Sequence, residues 1–338
     1  MRDDDLKHCH EAIRTGSYSF HAASRLLPAS LRDPALVLYA FCRVADDAVD
    51  LGDDKVAAVL HLRDRLDQVY AGQPKDAPID RAFASVVEEF DMPRALPEAL
   101  LEGLAWDGVE RRYQTLSEVR DYSARVASAV GAMMCVLMGA REKHALARAC
   151  DLGVAMQLTN IARDVGEDAQ AGRLYLPLDW FAEAGIDAED WLAAPEPTPE
   201  IREMVRRLLS EARNLYIRSE AGIRELPVKY RMGIYAARFI YAAIGDKIRA
   251  NGFDSITERA FTTKAHKLAL IGRSTVRTSS SLVMTTSPRL FASELSEVHF
   301  LVDAAAQAVR VSKWRRRSDA LMDVLTQLEM EDRARRAI

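Results

Sequence analysis

Apolar residues recur every three or four positions along most of this chain, which is the period of an amphipathic or buried α-helix. Alternating apolar and polar runs bounded by Asn-Gly or Asp-Gly turns are missing, so no β-strand is predicted. The pattern therefore predicts an all-α fold. The predicted helices cover residues 35–49, 54–70, 79–90, 97–107, 116–139, 142–167, 199–225, 230–251 and 293–335.

Two local signals suggest where helices begin and where they are joined. Asp33 followed by Pro34 has the form of a helix cap and a first-turn proline, so the first helix is expected to start there. The proline-containing stretch 193–199 and the Ser/Thr-rich stretch 273–288 are predicted to be connections. The apolar stretch 127–140 is short for a membrane span and is predicted to be a buried helix.

Composition narrows the classes of protein that fit. The 338 residues are 49% hydrophobic and carry a formal net charge of −4, which favours a globular protein and argues against a nucleic-acid partner. The four cysteines are scattered without metal-site spacing, and the N-terminus lacks the apolar core of a signal peptide. We therefore expect a cytoplasmic protein without a disulfide framework.

Acidic residues recur at helical spacing in two apolar segments. Asp46 and Asp50 are four residues apart in the first, and Asn160, Asp164 and Asp168 follow the same spacing in the second. Residues four apart share one face of a helix, so each segment presents a ladder of oxygen atoms, and stacked like charges repel unless solvent or cations compensate them. Solvated helix faces are the common explanation, but the apolar surroundings favour metal binding here.

Two such ladders facing each other would form an all-oxygen site typical of Mg²⁺ or Mn²⁺. Magnesium often completes its coordination with substrate phosphate, and Arg43, Arg163 and Arg173 flank the ladders with guanidinium groups suited to phosphate. Aromatic rings nearby could shield a carbocation once diphosphate has left. These aromatic residues are Tyr18, Phe20, Tyr39, Tyr122 and Tyr175.

A carboxylate-bridged di-iron bundle is the competing metal site. That site uses Glu-x-x-His on two helices, and none of the seven histidines stands three residues after a glutamate. The sequence therefore favours the diphosphate site.

Four motifs resemble those of the squalene/phytoene synthase family, and particularly its bacterial phytoene-forming members. They occur in the family's order, and the last is long enough to be specific. The motifs are Ser17-Tyr-Ser-Phe20, the segment from Tyr39 to Asp50, the segment from Tyr122 to Gly131, and the segment from Gln157 to Pro177.

The resemblance implies an isoprenoid-synthase helical bundle with a central cavity between two facing acidic helices. It implies head-to-head condensation of two geranylgeranyl diphosphates through a cyclopropylcarbinyl diphosphate to phytoene, in carotenoid biosynthesis and without NADPH. Residues 1–290 would form the catalytic domain, with motifs matching about 17–267, and residues 291–338 a helical extension of unknown role.

The same resemblance assigns roles to individual residues. The implied metal ligands are Asp46, Asp50, Asn160, Asp164 and Asp168, holding Mg²⁺ or Mn²⁺. The implied catalytic residues, near the diphosphates or the reaction centre, are Tyr39, Arg43, Tyr122, Gln157, Arg163, Arg173 and Tyr175. The implied substrate contacts are Ser17, Ser19, Phe20 and Tyr241.

Two other functions stay open. A sister enzyme would join C15 diphosphates into dehydrosqualene, squalene or hydroxysqualene, and the depth of the pocket would separate it from a C20 enzyme. A noncatalytic assembly factor of the same family would show eroded ladders, whereas these are intact. A basic stretch contains Arg310, Lys313, Trp314 and residues 315–317. A solvated helix face is the common explanation of such a stretch, and the alternative is a peripheral membrane contact, where an apolar product could pass to other carotenoid enzymes.

Overall fold

The computed structural model describes residues 2–16, 27–50, 55–283 and 285–307, with side chains for all of these except 12–16 and 50. These residues form an all-α bundle and contain no β-strand, which confirms the predicted fold class. The helices are α1 (Asp3–Gly16), α2 (Ala29–Asp50), α3 (Lys55–Tyr70), α4 (Pro78–Phe90), α5 (Ala95–Gly108), α6 (Leu116–Ser123), α7 (Ala129–Leu137), α8 (Lys143–Gln170), α9 (Leu178–Ala184), α10 (Ala188–Ala193), α11 (Pro199–Ile223), α12 (Val228–Ala250) and α13 (Lys264–Ser280).

The start of α2 differs from the prediction. The helix begins at Ala29, and Pro34 lies inside it instead of opening it. The preceding turn already bonds the amide nitrogens of Leu31 and Arg32 to the carbonyl of Pro28, and Leu31 is completely buried. Burial of this extra turn outweighs the one backbone bond that the proline cannot make.

The predicted helix 116–139 is interrupted. Residues Ala124–Ser128 form a π-helical turn between α6 and α7, and α7 ends at Leu137. The side chain of Ser128 donates to the carbonyl of Cys150 on α8, at 2.7 Å, so the irregular turn is tied to the neighbouring helix. Insertions of this kind leave no trace in an apolar period.

The Ser/Thr-rich stretch 273–288 was wrongly predicted to be a connection throughout, because its first eight residues belong to α13. Several of its hydroxyl groups bond to carbonyls one turn earlier, for example Thr278 to Ser274 at 2.8 Å. Such bonds let serine and threonine stay within a helix. The prediction also missed α1, α9 and α10. The helix predicted to begin at residue 293 begins at residue 299, and its described part covers residues 299–307.

Helix α8 is the centre of the bundle and packs most extensively against α11. Two glycines allow α8 to pack closely, Gly153 against the π-helical turn and Gly222 of α11 against α8. A Cβ atom on Gly153 would lie 2.6 Å from the Cα of Ser128, and one on Gly222 would lie 2.3 Å from the Cβ of Arg148. Larger residues at these positions would push the helices apart.

A buried charge network holds the segment after α13 against α8 and α11. Arg148 and Asp151 are fully buried and form an ion pair at 2.7 Å, and the Asp151 carboxylate also accepts a hydrogen bond from Arg218 at 3.0 Å. Arg148 also donates to the carbonyl oxygens of Arg289 and Ala292, both at 2.8 Å. Two arginines therefore depend on one carboxylate for their counter-charge.

We expect Asp151→Ala to lower the free energy of unfolding by roughly 3–5 kcal/mol, because it leaves buried guanidinium groups without a counter-charge. Urea denaturation followed by circular dichroism measures this change. Asp303→Ala is the matched control, because Asp303 pairs with Lys143 at the exposed start of α8 and should leave the midpoint nearly unchanged. Equal midpoints for both variants would contradict the structural role of the network.

Candidate active site

One face of α8 is apolar in its first half and acidic in its second. Ala145, Ala149, Leu152, Met156 and Asn160 all lie on a cavity wall at spacings of three and four residues. The same spacing continues from Asn160 to Asp164 and Asp168, so the acidic ladder continues the apolar stripe along the same face. Polar chemistry is therefore predicted at one end of this cavity.

The cavity has a volume of about 320 Å³ and is enclosed mainly by apolar side chains. Helices α7, α8, α11 and α12 and the π-helical turn line it. Six small residues are part of this lining: Ala127, Gly131, Gly153, Gly222, Gly233 and Ala237.

The second ladder is paired with two arginines. Arg163 donates to the Asp164 carboxylate at 2.8 Å, and Arg259, in the loop after α12, donates to it at 2.9 Å. Burial alone would raise the pKa of Asp164, but the hydrogen bonds and charges of these arginines outweigh burial and lower it. Arg259 had not been predicted from the sequence, since it lies in a loop remote from the motifs.

Asp168 has the opposite electrostatic environment. Burial, followed by the nearby Asp164 charge, raises its pKa to about 7, although Arg173 opposes the rise. A buried carboxylate beside another carboxylate is stabilised by added positive charge, so a divalent cation fits this end of the cavity.

The first ladder lies on α2 and is partly exposed. Arg43 donates to Asp46 at 3.3 Å and to Asp47 at 3.0 Å, so the arginine compensates acidic charge on its own helix. The side chain of Asp50 lies outside the described residues, as do Ser17, Ser19 and Phe20.

Tyr241 relates the two acidic helices to each other. Burial raises its pKa while the charge of Arg163 on α8 lowers it. Burial also raises the pKa of the half-buried Tyr39 on α2, where Arg43 opposes the rise and Tyr241 adds to it. Tyr241 lines the cavity with Gln157 and Asn160, so these three predicted residues lie on the cavity wall, and Tyr39 and Arg163 interact electrostatically with Tyr241.

Within the side chains that the structure describes, no three from His, Cys, Asp and Glu come close enough together to hold a metal ion. Asp46 and Asp164 instead have arginine partners on their own helices. The oxygen atoms of both ladders suit a hard cation. That both ladders bind the same cations stays a prediction.

A cluster of tyrosines surrounds an acid that had not been predicted. Asp107, at the end of α5, accepts from the hydroxyl of Tyr175 at 2.7 Å and from that of Tyr122 at 2.9 Å. The two rings stack with centroids 5.2 Å apart, and Tyr113 packs beside both. Burial, followed by the Asp107 charge, raises the pKa of both Tyr122 and Tyr175, so their hydroxyls stay protonated.

Asp107 also contributes to the raised pKa of Asp168, which places the tyrosine cluster near the polar end of the cavity. One feature of the sequence could have revealed Asp107. Asp107 is an acid within an apolar predicted helix, the same feature that marked the ladders, but it is the last residue of that helix and no acid stands one turn before it.

Known proteins share this fold and these motifs. The profile of the squalene/phytoene synthase family matches residues 13–267, three quarters of the chain, and the chain belongs to that family. It is 60% identical to a phytoene synthase of Cereibacter sphaeroides, over 97% of this chain and 95% of that protein. It is 58% identical to a phytoene synthase of Rhodobacter capsulatus, over 98% of each chain.

The structural comparison agrees. The crystal structure of a dehydrosqualene synthase in complex with a ligand superposes with a TM-score of 0.76 at 29% identity, covering 82% of this chain and 97% of that one. The isoprenoid-synthase fold expected from the motifs is therefore confirmed.

We expect Asp107→Asn to lower kcat on a prenyl diphosphate substrate by about tenfold or more, with the helical content unchanged. An asparagine amide replaces one acceptor oxygen with an NH2 donor, so one of the two tyrosine hydroxyls can no longer donate its proton to this side chain. Steady-state kinetics at saturating substrate measure the effect. Asp121→Asn, which changes an acid paired with Arg125, is the control expected to stay near the wild-type rate, and a wild-type rate in Asp107→Asn would make the cluster purely structural.

Proposed function

We propose that this enzyme condenses two geranylgeranyl diphosphates head to head into phytoene and releases diphosphate. The observation that carries the proposal is the single face of α8 that changes from an apolar cavity wall to an acidic ladder. A prenyl diphosphate has the same division between a long apolar tail and an anionic head. The relatives named phytoene synthase, at 58–60% identity, favour this reaction over the C15 alternatives.

The length of the cavity wall supports a C20 substrate. Ala145 and Asn160 are the first and last lining residues of α8, and fifteen residues of helix span about 22 Å. An extended C20 tail of sixteen backbone carbons reaches ~20 Å from ordinary bond lengths, and a C15 tail ~15 Å. Ala145, together with Ile223 and Leu226, would close the end farthest from the ladder.

At the polar end, the chain's own side chains would divide the work. Asp46, Asp50, Asn160, Asp164 and Asp168 would hold Mg²⁺ or Mn²⁺, which would supply positive charge to the departing diphosphate. Arg43, Arg163, Arg173 and Arg259 would bind phosphate oxygens when the substrate displaces their present carboxylate partners. Apolar walls would exclude water from the allylic cation.

The reaction has two ionisations in one cavity. The first allylic cation is captured by the double bond of the second substrate, and loss of a proton closes the ring of a cyclopropylcarbinyl diphosphate. The second ionisation is followed by rearrangement. Loss of a second proton then gives phytoene, so no NADPH is required. Tyr122 and Tyr175 stay protonated on Asp107 and would offer polar hydroxyl oxygens near this end.

Two alternative functions can be distinguished from this one by their products. A C15-specific enzyme would give dehydrosqualene, squalene or hydroxysqualene, and an assembly factor would give no product at all. The proposal places the protein in the cytoplasm, with a peripheral membrane contact where phytoene passes to a later carotenoid enzyme. The described part of the chain has no helix of the length and apolarity needed to cross a bilayer.

We expect the wild-type protein to convert the C20 diphosphate to phytoene without NADPH, and Ala145→Leu to lower its C20 kcat/KM by about 10- to 100-fold. The larger side chain would occupy the space of the last isoprene unit, whereas C15 diphosphate, as substrate or competing ligand, should bind nearly as before. Product chromatography and competition kinetics measure both quantities.

Ala147→Leu is the matched control, because Ala147 is buried on α8 but does not line the cavity. Equal loss with C15 and C20 substrates would overturn the assignment of the cavity floor. Product from C15 alone in the wild type would instead overturn the C20 proposal.

We also expect EDTA to abolish turnover and Mg²⁺ or Mn²⁺ to restore it, because the oxygen ligands need a hard cation. Asp164→Asn should lower turnover by roughly 100-fold at saturating metal, and Asp50→Asn should behave similarly. Asp246→Asn is the control, since Asp246 is an exposed acid on α12 paired with Arg249. Full activity in the chelated enzyme is the result that would remove metal from the mechanism.

A further inference from the structure

Helix α13 packs on the bundle by one face only. It contacts α12, against which Leu270 and Ser274 are buried, and Arg277 pairs with Glu220 of α11 at 2.9 Å. The remaining faces of α13 are exposed among the described residues.

The face opposite this contact is apolar. Ala265, Leu268, Ala269, Gly272 and Val276 follow the spacing i, i+3, i+4, i+7 and i+11, and all five are exposed. Leu268 is 69% exposed and Val276 is 70% exposed. No heavy atom lies within 4 Å of the position that a Cβ on Gly272 would take, so this face opens to the outside. A stripe with this spacing normally packs against another apolar surface.

Exposed apolar residues also stand at both ends of the helix. Phe261, three residues before α13, is 73% exposed, and Leu282 and Val283, just after it, are 59% and 85% exposed. Large apolar residues are therefore concentrated along one short segment.

The charge of the same segment identifies the partner. Residues 259–293 contain no aspartate or glutamate, although the whole chain carries −4. The basic residues in this range are Arg259, Lys264, Lys267, Arg273, Arg277 and Arg289. Lys264 and Arg273 flank the apolar stripe on its two sides.

We propose that the outer face of α13, with Phe261 and Leu282–Val283 at its ends, docks on an anionic lipid bilayer. Apolar side chains would enter the boundary between headgroups and acyl chains, while Lys264, Lys267 and Arg273 would contact anionic headgroups. A second copy of this chain fits less well, since a symmetric contact through this face would bring like charges together. Nucleic acid also fits less well, because it does not provide an apolar surface for the stripe.

The position of α13 suggests that membrane docking serves product release, an inference that rests on the proposed function. The helix lies on α12, whose Gly233, Ile234, Ala237 and Ile240 line the cavity. The bilayer would then be one helix away from the cavity that holds the tails, and an apolar product would have a short path to lipid.

The test is co-sedimentation of the full chain with vesicles of phosphatidylcholine containing phosphatidylglycerol, and with vesicles of phosphatidylcholine alone. We expect the wild type to bind the anionic vesicles, with weaker binding at high salt. Leu268→Glu/Val276→Glu should reduce binding about tenfold or more, and Lys264→Gln/Lys267→Gln should reduce both binding and its dependence on salt. Val56→Glu/Leu60→Glu is the matched control, because these residues of α3 are 59% and 56% exposed and should not matter.

The outcomes separate the alternatives. The assignment to α13 would be overturned if Leu268→Glu/Val276→Glu bound vesicles as the wild type does while a full-length variant with Arg315, Arg316 and Arg317 changed to Gln lost binding. Sedimentation velocity tests the second copy. If the wild type is a dimer and Leu268→Glu/Val276→Glu is a monomer, this face binds a second copy of the chain, and the assignment to a bilayer is overturned. Melting temperatures and turnover in detergent should be unchanged in the α13 variants. Vesicle binding without phytoene formation would instead fail the proposed function and leave the docking surface standing.

Discussion

The structure depends on how closely spaced carboxylates are stabilised beside an apolar cavity. Asp164 and Asp168 lie one turn apart on a largely buried helix, where desolvation and mutual repulsion both oppose ionisation. Arg163 and Arg259 compensate Asp164, and their effect on its pKa exceeds that of burial. Asp168 receives less compensation, and its pKa is raised to about 7. The polar end of the cavity is thus an electrostatic environment that gains from added positive charge.

This arrangement requires a rigid bundle, because the apolar wall and the ladder must stay on one face of one helix. Close packing supplies that rigidity where Gly153 and Gly222 bring α8 against its neighbours. The buried Arg148 and Asp151 add directional bonds at the opposite end of α8, where they hold the segment after α13. Polar networks therefore lie at both ends of a helix whose middle lines an apolar space.

The sequence predicted the features that have a regular period. Apolar spacing predicted most of the helices, and acidic spacing predicted the ladder on α8, since both follow from the helix repeat. Asp107 and Arg259 were missed because each joins the site through tertiary contacts: Asp107 through two tyrosines on other segments, and Arg259 through a loop. The π-helical turn and the helical Ser/Thr stretch of α13 were missed for a related reason, since their stability comes from neighbouring helices and side-chain bonds that a linear pattern does not contain.

The proposed site and docking surface follow the polarity of one molecule. A prenyl diphosphate is anionic at one end and apolar along its length, and α8 offers acids and arginines followed by about 22 Å of apolar wall. Condensation removes the anionic ends and leaves a product with no group that water can solvate, so the interactions that retained the substrate heads no longer act. An apolar exit is then the favourable direction. Helix α12 forms one wall of the cavity and also carries α13, whose exposed face is apolar and basic. The same loss of charge that completes the reaction would therefore direct the product from the ladder toward lipid.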